Sequence, residues 1–254
     1  MRVLVCVKRV PLTGGKINLT DDEQAIQTRH LGFTVSPHEE CGAEEAIRLV
    51  EAHGGESVAL TLGPAEAEEQ LRDLMAIGID RGIHLLTDGA EWDPQATAGA
   101  IVAAVKAEPE PFDLILFGTE SADAGNYQVA IRVAYALGLP VVNGIKAITV
   151  DGSSLRCEHE VSGGRDVYEL TMPAVVTVME GINLPRYPSV PGRMRAKRKP
   201  VAASEPARVG GIESKLKLVR LVLPEASGKQ VEILGHGPEA APRVVEILQE
   251  IGVL

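Results

Sequence analysis

Residues 2–10, reading RVLVCVKRV, decide the fold, because they place a β-branched apolar run almost at the start of the chain. A continuous apolar run of this kind is typical of a strand that is buried on both faces, as in parallel sheets. Similar runs follow at residues 57–62, 83–86 and 114–117, and segments with helical spacing separate them. Strands that alternate with helices predict a doubly wound, mostly parallel α/β sheet.

The helix signals lie between these strands. Ser36 and Glu39 have the spacing of a capping box, with Pro37 at the first helical position, so a helix should begin there and run to about His53. Further helices are expected from Pro64 onward and over residues 94–106 and 127–137. The predicted layout is Rossmann-like, the arrangement in which proteins commonly hold adenine nucleotides.

The pattern changes after Gly144, where short strand-like runs are joined by the turn signals Asp151-Gly152 and Gly163-Gly164. These runs predict antiparallel hairpins at one side of the sheet. They cover residues 146–150, 155–161 and 166–171, and a buried strand over 174–178 follows. A smaller hairpin is expected between residues 17–19 and 25–28.

Two parts of the chain are expected to differ in organisation. Residues 1–200 should form the α/β domain, including the segment 182–199, and residues 201–254 an extended C-terminal arm. Within the arm, residues 201–213 read as a linker, 216–223 as a strand and 242–251 as an amphipathic helix.

Composition narrows the class of protein. A net charge of −10 argues against a general nucleic-acid binder, since such proteins usually carry a basic surface. Cys6, Cys41 and Cys157 lie far apart and form no C-x-x-C pair, so neither a zinc site nor a dithiol redox site is predicted. So few cysteines suit a reducing cytoplasm. No apolar run reaches the ~20 residues of a membrane span.

The loop GTESADAGNYQ at residues 118–128 is the first candidate site, because it leaves a predicted parallel strand and enters a helix. Backbone N–H groups and the helix dipole converge at such a position and favour an anion. Its small residues would let the backbone approach a phosphate closely; they are Ser121, Ala122, Ala124 and Gly125. The lysine of a Walker A motif is missing, and an ordinary polar loop would look the same.

Three other segments should share the same edge of the sheet. Cys6 could line an adenine pocket, although a packed free cysteine is commoner. His38 could contact a cofactor ring, although a lone histidine more often has no such role. Leu62 ends the second strand before Gly63-Pro64. The convergence of these segments carries more weight than any one of them.

No catalytic constellation is apparent. Ser36, Ser121 and Ser189 lack the G-x-S-x-G setting of a nucleophile. Glu158, His159 and Glu160 are adjacent in a predicted strand, where neighbours point to opposite faces, so no metal site is predicted either. Any chemistry would therefore have to come from a cofactor.

Residues 182–199, INLPRYPSVPGRMRAKRK, contain three evenly spaced prolines followed by a basic cluster. Proline fixes φ and donates no hydrogen bond, so we expect neither a helix nor a central strand here. Val190 lies between Ser189 and Pro191 with no apolar neighbour. Composition alone favours a solvated linker; the alternative is a stiff loop that presents one apolar side chain to a partner.

Several blocks in order resemble the beta subunit of electron transfer flavoproteins over essentially the full chain. They are VLVCVKRVP at 3–11, EEAIRL at 44–49, GIDRGIHL at 78–85, MPAVVTV at 172–178 and, most specifically, NLPRYPSVPGRMRAKRK at 183–199. The last block resembles the family's signature and recognition loop.

The resemblance implies a heterodimer with an alpha subunit that holds most of an FAD, while this chain covers one side and buries an AMP. Electrons would arrive from flavin dehydrogenases and leave to a quinone oxidoreductase or another acceptor, so the chain would be an electron carrier and not an enzyme. FAD-facing residues would lie near Thr13 and His38. The implied nucleotide-binding residues are Cys6, Ser36, Pro37, His38, Glu39, Leu62, Gly118, Thr119, Glu120, Ser121, Ala122, Asp123, Ala124, Gly125, Asn126, Tyr127, Gln128 and Val129, with Asp123, Asn126 and Gln128 as polar contacts. Implied partner-binding residues are Val190, the apolar anchor, with Pro191, Arg193 and Arg195.

Departures from the family pattern leave rivals open. Ser36-Pro37-His38 stands where the family often has Asn-Pro-Phe, and Thr13 stands where a tyrosine is common. The loop also lacks the acidic, threonine-containing form. Gln128-Val129 resembles members that hold a second FAD in the AMP site and bifurcate electrons, but the Gly-Asp-Thr that precedes it in those members is absent. We therefore keep a bifurcating subunit and an unpartnered nucleotide-binding regulator as alternatives to the electron carrier.

Overall fold

The computed structural model describes residues 1–12, 14, 17–207, 216–224 and 231–254. Within these ranges the strands are β1 (Arg2–Val7), β2 (Arg9–Pro11), β3 (Phe33–Val35), β4 (Glu56–Gly63), β5 (Arg81–Leu86), β6 (Leu114–Gly118), β7 (Val141–Asp151), β8 (Ser154–Val161), β9 (Gly164–Thr171), β10 (Ala174–Val178) and β11 (Val201–Ser204). The α-helices are α1 (Pro37–His53), α2 (Glu68–Ile77), α3 (Pro94–Ala107), α4 (Val129–Leu137), α5 (Val190–Ala196) and α6 (Ala241–Glu250).

Nine strands form one sheet in the order β11-β5-β4-β1-β6-β10-β7-β8-β9. The pairs from β11 to β7 are parallel, and β8 and β9 continue the sheet as antiparallel strands. The chain builds outward from β1 in one direction to β4 and in the other to β6. This confirms the doubly wound α/β fold, and it places the topological switch point at the carboxyl ends of β1 and β6.

The β1 strand is the centre of the core because both of its faces are covered. Val3, Leu4 and Val5 are fully buried. Val3 and Val5 belong to an apolar cluster with α1 and α2, whereas Leu4 and Cys6 belong to a second cluster with α3 and α4. Alternate side chains of one strand thus enter opposite helical layers, which explains the unbroken apolar run in the sequence.

The predicted strand over residues 2–10 is interrupted at Lys8, where the chain leaves the large sheet. Residues 9–11 instead form β2, which pairs antiparallel with β3. The Arg9 guanidinium lies 3.3 Å from the centre of the Phe33 ring across this pair, a cation–π contact. The small hairpin expected nearby forms a single bridge between Leu19 and Ile26.

The antiparallel hairpins after Gly144 are confirmed, but β7 begins at Val141, earlier than predicted. Its first residues pair parallel with β10 and its later residues pair antiparallel with β8. Gly144, at a φ of 69°, lies where the pairing changes, and its N–H donates to Thr177 Oγ1 at 2.9 Å. A left-handed residue lets the strand change partners, which alternation of side chains does not reveal.

The C-terminal part differs from prediction in two places. The linker predicted over 201–213 is wrong for its first four residues, because they form β11 and pair parallel with β5 at the sheet edge. The strand predicted over 216–223 is also wrong: its residues lie in no strand, and Leu221 N donates to Glu23 O at 2.8 Å. The predicted terminal helix is confirmed as α6, which buries none of its residues. Residues 208–213 of the predicted linker lie outside the described residues.

Candidate functional site

Three segments meet at the switch point: Lys8 directly after β1, residues 36–39 at the start of α1, and residues 118–129 between β6 and α4. Ser36 is almost fully buried, and its Oγ accepts a hydrogen bond from Ala122 N at 3.0 Å. The Ser36 side chain therefore does not cap α1, so the predicted capping box forms only through the hydrogen bond from Ser36 N to Glu39. The Ser36 hydroxyl fastens the loop to the helix instead.

Gly118 lets the loop start directly beneath α1. A Cβ atom at this position would lie 2.7 Å from Glu39 Cγ and 3.1 Å from His38 Cβ. Real Cβ atoms do not approach other heavy atoms this closely, so a side chain here would push the two segments apart. Gly118, which the resemblance placed among the nucleotide-binding residues, is thus required for helix packing.

Glu39 is the buried carboxyl group of the site, with 7% of its surface exposed. Its Oε2 accepts the backbone N–H of Lys8 at 2.8 Å, which satisfies the backbone where β1 leaves the sheet. Burial raises the pKa of Glu39 to about 8, and the hydrogen bonds from Lys8 N and Ser36 N oppose that rise. The group is therefore largely protonated near neutral pH.

The switch-point crevice is the region that Lys8, residues 36–39 and residues 118–129 border, and the Lys8 ammonium forms two ion pairs there. Its Nζ is 2.6 Å from Glu91 Oε1 and 2.8 Å from Asp123 Oδ2. Burial by itself would lower the pKa of Lys8, but the two carboxylates outweigh it and the pKa is raised. Burial would likewise raise the pKa of Asp123, yet Lys8 holds it below its ordinary value. Sequence reasoning missed Lys8 and Glu91 as site residues, because no spacing in sequence links positions 8, 91 and 123.

The loop after β6 is held by hydrogen bonds at its start and is exposed to solvent near its end. Thr119 Oγ1 donates to Val178 O at 3.0 Å, which fastens the start of the loop to β10. Gly125 and Tyr127 both have positive φ, at 54° and 55°, which delays the predicted helix start from Tyr127 to Val129. No side chain caps the N-terminus of α4. Asn126, Tyr127 and Gln128 are exposed, and Gln128 Oε1 accepts from Arg132 Nη2 at 2.9 Å.

Cys6 and Leu62 lie at the same edge but differ in access. The Cys6 side chain is 5% exposed and packs within the α3–α4 cluster. Burial, followed by the nearby charge of Glu39, raises the pKa of the Cys6 thiol well above its ordinary value. Leu62 is half-buried near the end of β4. The structure thus brings Leu62 nearer to solvent than Cys6.

His38 is half-buried and bridges two segments. Its Nδ1 accepts the backbone N–H of Glu180 at 2.7 Å, and its Nε2 lies 3.9 Å from Glu120 Oε1. A ring whose Nδ1 accepts a hydrogen bond carries its proton on Nε2 when neutral. Thr13, the other residue that the resemblance placed near a flavin, lies outside the described residues.

The candidate docking segment, residues 182–199, contains no helix or strand up to Ser189. Contrary to prediction, Val190 begins the short helix α5, and Ser189 Oγ caps it by accepting Gly192 N at 3.1 Å. Pro191 lies in the first helical turn, where its missing N–H is not needed. Val190 is 77% exposed. Arg193 and Arg195 are exposed as well. Three further exposed apolar side chains were missed: Leu184, Tyr187 and Met194.

Two features of the described residues concern metal binding and membrane insertion. No group of three or more His, Cys, Asp and Glu side chains in those residues could hold a metal ion. None of the helices described is long and apolar enough to cross a membrane. A concave surface lined by Met1, His53, Asp113 and Met172 lies at the amino ends of the strands, and so at the edge opposite the switch point.

The fold and its switch-point crevice define the class first: a doubly wound, Rossmann-like α/β protein. A family model described as "Electron transfer flavoprotein domain" matches residues 25–209. The electron transfer flavoprotein subunit beta of Syntrophomonas wolfei is 38% identical to this chain over 247 residues, which cover 97% of this chain and 95% of that protein. The beta subunits of Bacillus subtilis and Homo sapiens are 33% and 34% identical, each covering at least 98% of both chains.

The chain belongs to the electron transfer flavoprotein family, among its beta subunits. It is therefore a flavoprotein subunit of electron transport. The resemblance seen in the sequence blocks is confirmed.

Proposed function

We propose that this chain pairs with an alpha subunit and carries electrons from flavin dehydrogenases to a quinone oxidoreductase or another acceptor in the cytoplasm. In this proposal AMP occupies the switch-point crevice, and FAD lies between the two subunits. The observation that carries it is the meeting of Lys8, the start of α1 and the open loop before α4 at one crevice. Family membership supplies the redox role.

The residues of the crevice fit an adenine nucleotide. The uncapped N-terminus of α4 offers backbone N–H groups to a phosphate, and the helix dipole favours the negative charge. Asp123 would repel a phosphate, but Lys8 neutralises it at 2.8 Å. Asn126 and Gln128 are exposed and can donate to ribose or phosphate oxygens. We assign the adenine ring to the side of Leu62, with Cys6 beneath it.

No side chain of this subunit needs to react. Bound FAD supplies the one-electron chemistry, and the protein binds it, excludes water from one side and docks it against partners. In this proposal His38 faces the flavin, with its Nδ1 occupied by Glu180 N and its Nε2 3.9 Å from Glu120 Oε1. The docking segment presents Val190 to the partner that delivers electrons.

The C-terminal arm fits a large contact with the alpha subunit. Helix α6 buries none of its own residues, although its sequence is amphipathic. Exposed apolar side chains continue to the end of the chain; they include Val244, Val245, Ile251, Val253 and Leu254. An apolar helix face of this extent needs a covering partner, and obligate interfaces often exceed ~2,000 Å².

A bifurcating subunit with a second FAD in place of AMP is the alternative. Gln128-Val129 at the start of α4 is the observation that favours it, together with the exposure of residues 126–128. A regulator without a partner is disfavoured, because it gives no role to the exposed apolar side chains of the docking segment.

Co-expression with the alpha subunit tests the proposal. We expect a yellow heterodimer from which acid extraction releases one FAD and one AMP per complex. Two FAD molecules and no AMP would favour the bifurcating alternative. A stable complex without flavin absorbance would refute the electron-carrier function itself.

A further inference from the structure

One arginine of the docking segment, Arg186, makes several hydrogen bonds to α1. Arg186 Nε and Nη2 donate to Glu44 Oε2 and Oε1 at 2.9 and 3.0 Å, and Arg186 Nη1 and Nη2 donate to Glu51 at 2.7 and 3.0 Å. The backbone N–H of Arg186 donates to Glu44 Oε2 at 3.1 Å. One planar guanidinium thus bridges two carboxylates on the same helix, a geometry that lysine cannot reproduce.

The burial of Glu44 restricts the geometry of its contact with Arg186. Only 2% of its side chain is exposed, and Arg48 Nε donates to its Oε1 at 2.8 Å. Burial would raise the pKa of Glu44, but the hydrogen bonds from Arg186 and Arg48 hold it below its ordinary value. A buried carboxylate held ionised in this way restricts its partner to one position.

Other contacts fasten the segment on both sides of Tyr187 and Val190. Asn183 Nδ2 donates to Cys41 O at 3.0 Å and to Glu45 Oε2 at 2.9 Å. Beyond Val190, Arg72 Nη1 donates to Ala196 O at 2.8 Å. Between these anchors the side chains of Tyr187 and Val190 are 95% and 77% exposed, so they contribute little to holding the segment in place.

We propose that Arg186 is a positioning residue for electron transfer: it holds the segment on α1 so that Val190 is presented to the partner in one pre-set geometry. This inference rests on the proposed docking role of the segment. A segment that is ordered before docking loses less conformational entropy when the partner binds. The apolar contact is made by Val190, and Arg186 acts through the backbone that leads to it.

The test uses the flavin-loaded heterodimer and a purified flavin dehydrogenase chosen because it reduces the wild-type complex. Arg186→Met should raise KM for the heterodimer about tenfold, with kcat and flavin content unchanged, since ordering the segment becomes part of docking. Hydrogen exchange of the backbone amide at position 186, which donates to Glu44 Oε2, should accelerate in the same variant. Arg165→Met is the matched control, because it removes an arginine on the edge strand β9 that pairs with Glu158 of β8. We expect no change in KM or in hydrogen exchange at position 186 in this control.

A second variant separates positioning from simple stabilisation. Arg186→Met leaves Glu44 with fewer partners and should lower Tm, whereas Glu44→Gln combined with Arg186→Met removes the buried charge too and should recover Tm. KM should remain raised in this double variant. If KM returns to the wild-type value along with Tm, Arg186 only stabilises the fold and the inference is wrong.

The Val190→Ala variant distinguishes the docking role of the segment from the positioning role of Arg186. It should raise KM without releasing FAD if the segment docks partners. A raised KM for Val190→Ala but an unchanged KM for Arg186→Met would overturn the positioning role alone. No change in either variant would overturn the docking role of the segment and the inference with it.

Discussion

Glu39 makes the contact that its spacing indicates, a hydrogen bond from Ser36 N, and a second one that joins distant segments. Its position three residues after Ser36 predicts a capping box. In the structure the Ser36 hydroxyl accepts from the loop at Ala122, and the Glu39 carboxyl accepts from Lys8 where β1 ends. Both contacts join segments far apart in sequence, so the two residues hold the crevice together.

The raised pKa of Glu39 predicts a pH dependence of stability. Because its pKa rises from 4.5 to about 8 on folding, the folded protein holds this proton more tightly than the unfolded chain does. Its contribution to the free energy of unfolding is therefore lost as pH increases through that window, by up to about 1.4 kcal/mol per pH unit. Glu39→Gln keeps an acceptor for Lys8 N but cannot ionise, so its stability should fall less with pH than that of the wild type.

Urea unfolding at several pH values between about 5 and about 8 measures this difference. Glu66→Gln, at an exposed glutamate, is the control and should follow the wild-type dependence. Parallel curves for wild type and Glu39→Gln would show that Glu39 does not take up its proton on folding.

Helix α5 lies in a segment for which the sequence predicted no helix. Three prolines at equal spacing predict an extended loop. The cap signal of Ser189 and the helix-compatible Pro191 were present in the same residues, but the helix is short and is stabilised by packing on α2. A seven-residue helix is not stable by itself, so local signals could not decide its existence.

Gly192 is the residue that lets α5 approach α2. A Cβ atom at this position would collide with the carbonyl oxygen of Ala76 in α2. Gly192→Ala should therefore push α5 outward and lower stability by roughly 1–3 kcal/mol, as overpacking usually does. Thermal unfolding measures the change. Gly164→Ala on the edge strand β9, where an added Cβ meets nothing within 4 Å, is the control and should change stability by less than about 0.5 kcal/mol.

The whole molecule combines a net charge of −10 with a basic cluster in and after α5. Not every cation of that cluster faces partners. Lys199 Nζ donates to the carbonyl oxygens of Met75, Gly78 and Ile79, and therefore serves the C-terminal end of α2. Arg193 and Arg195 are exposed and remain the best candidates for steering acidic partners.

Steering of this kind predicts a salt dependence. The rate of reduction by a flavin dehydrogenase should fall as ionic strength rises, because charges more than ~8 Å apart are screened at physiological salt. Stopped-flow reduction of the heterodimer over a range of salt concentrations measures the slope. Arg193→Gln combined with Arg195→Gln should flatten it, and an unchanged slope in this variant would remove both residues from a steering role.

The sequence by itself determined the doubly wound sheet, the edge at which its loops gather and the family. Apolar runs, helix spacing and ordered blocks are local signals, and they survive without knowledge of contacts. Only the tertiary structure decided the change of partner within β7 at Gly144, the addition of β11 to the sheet edge, the bridge from Lys8 to Glu91 and Asp123, and the attachment of Arg186 to Glu44. Each of these joins residues distant in the chain, and such pairings depend on which surfaces the packed core brings together.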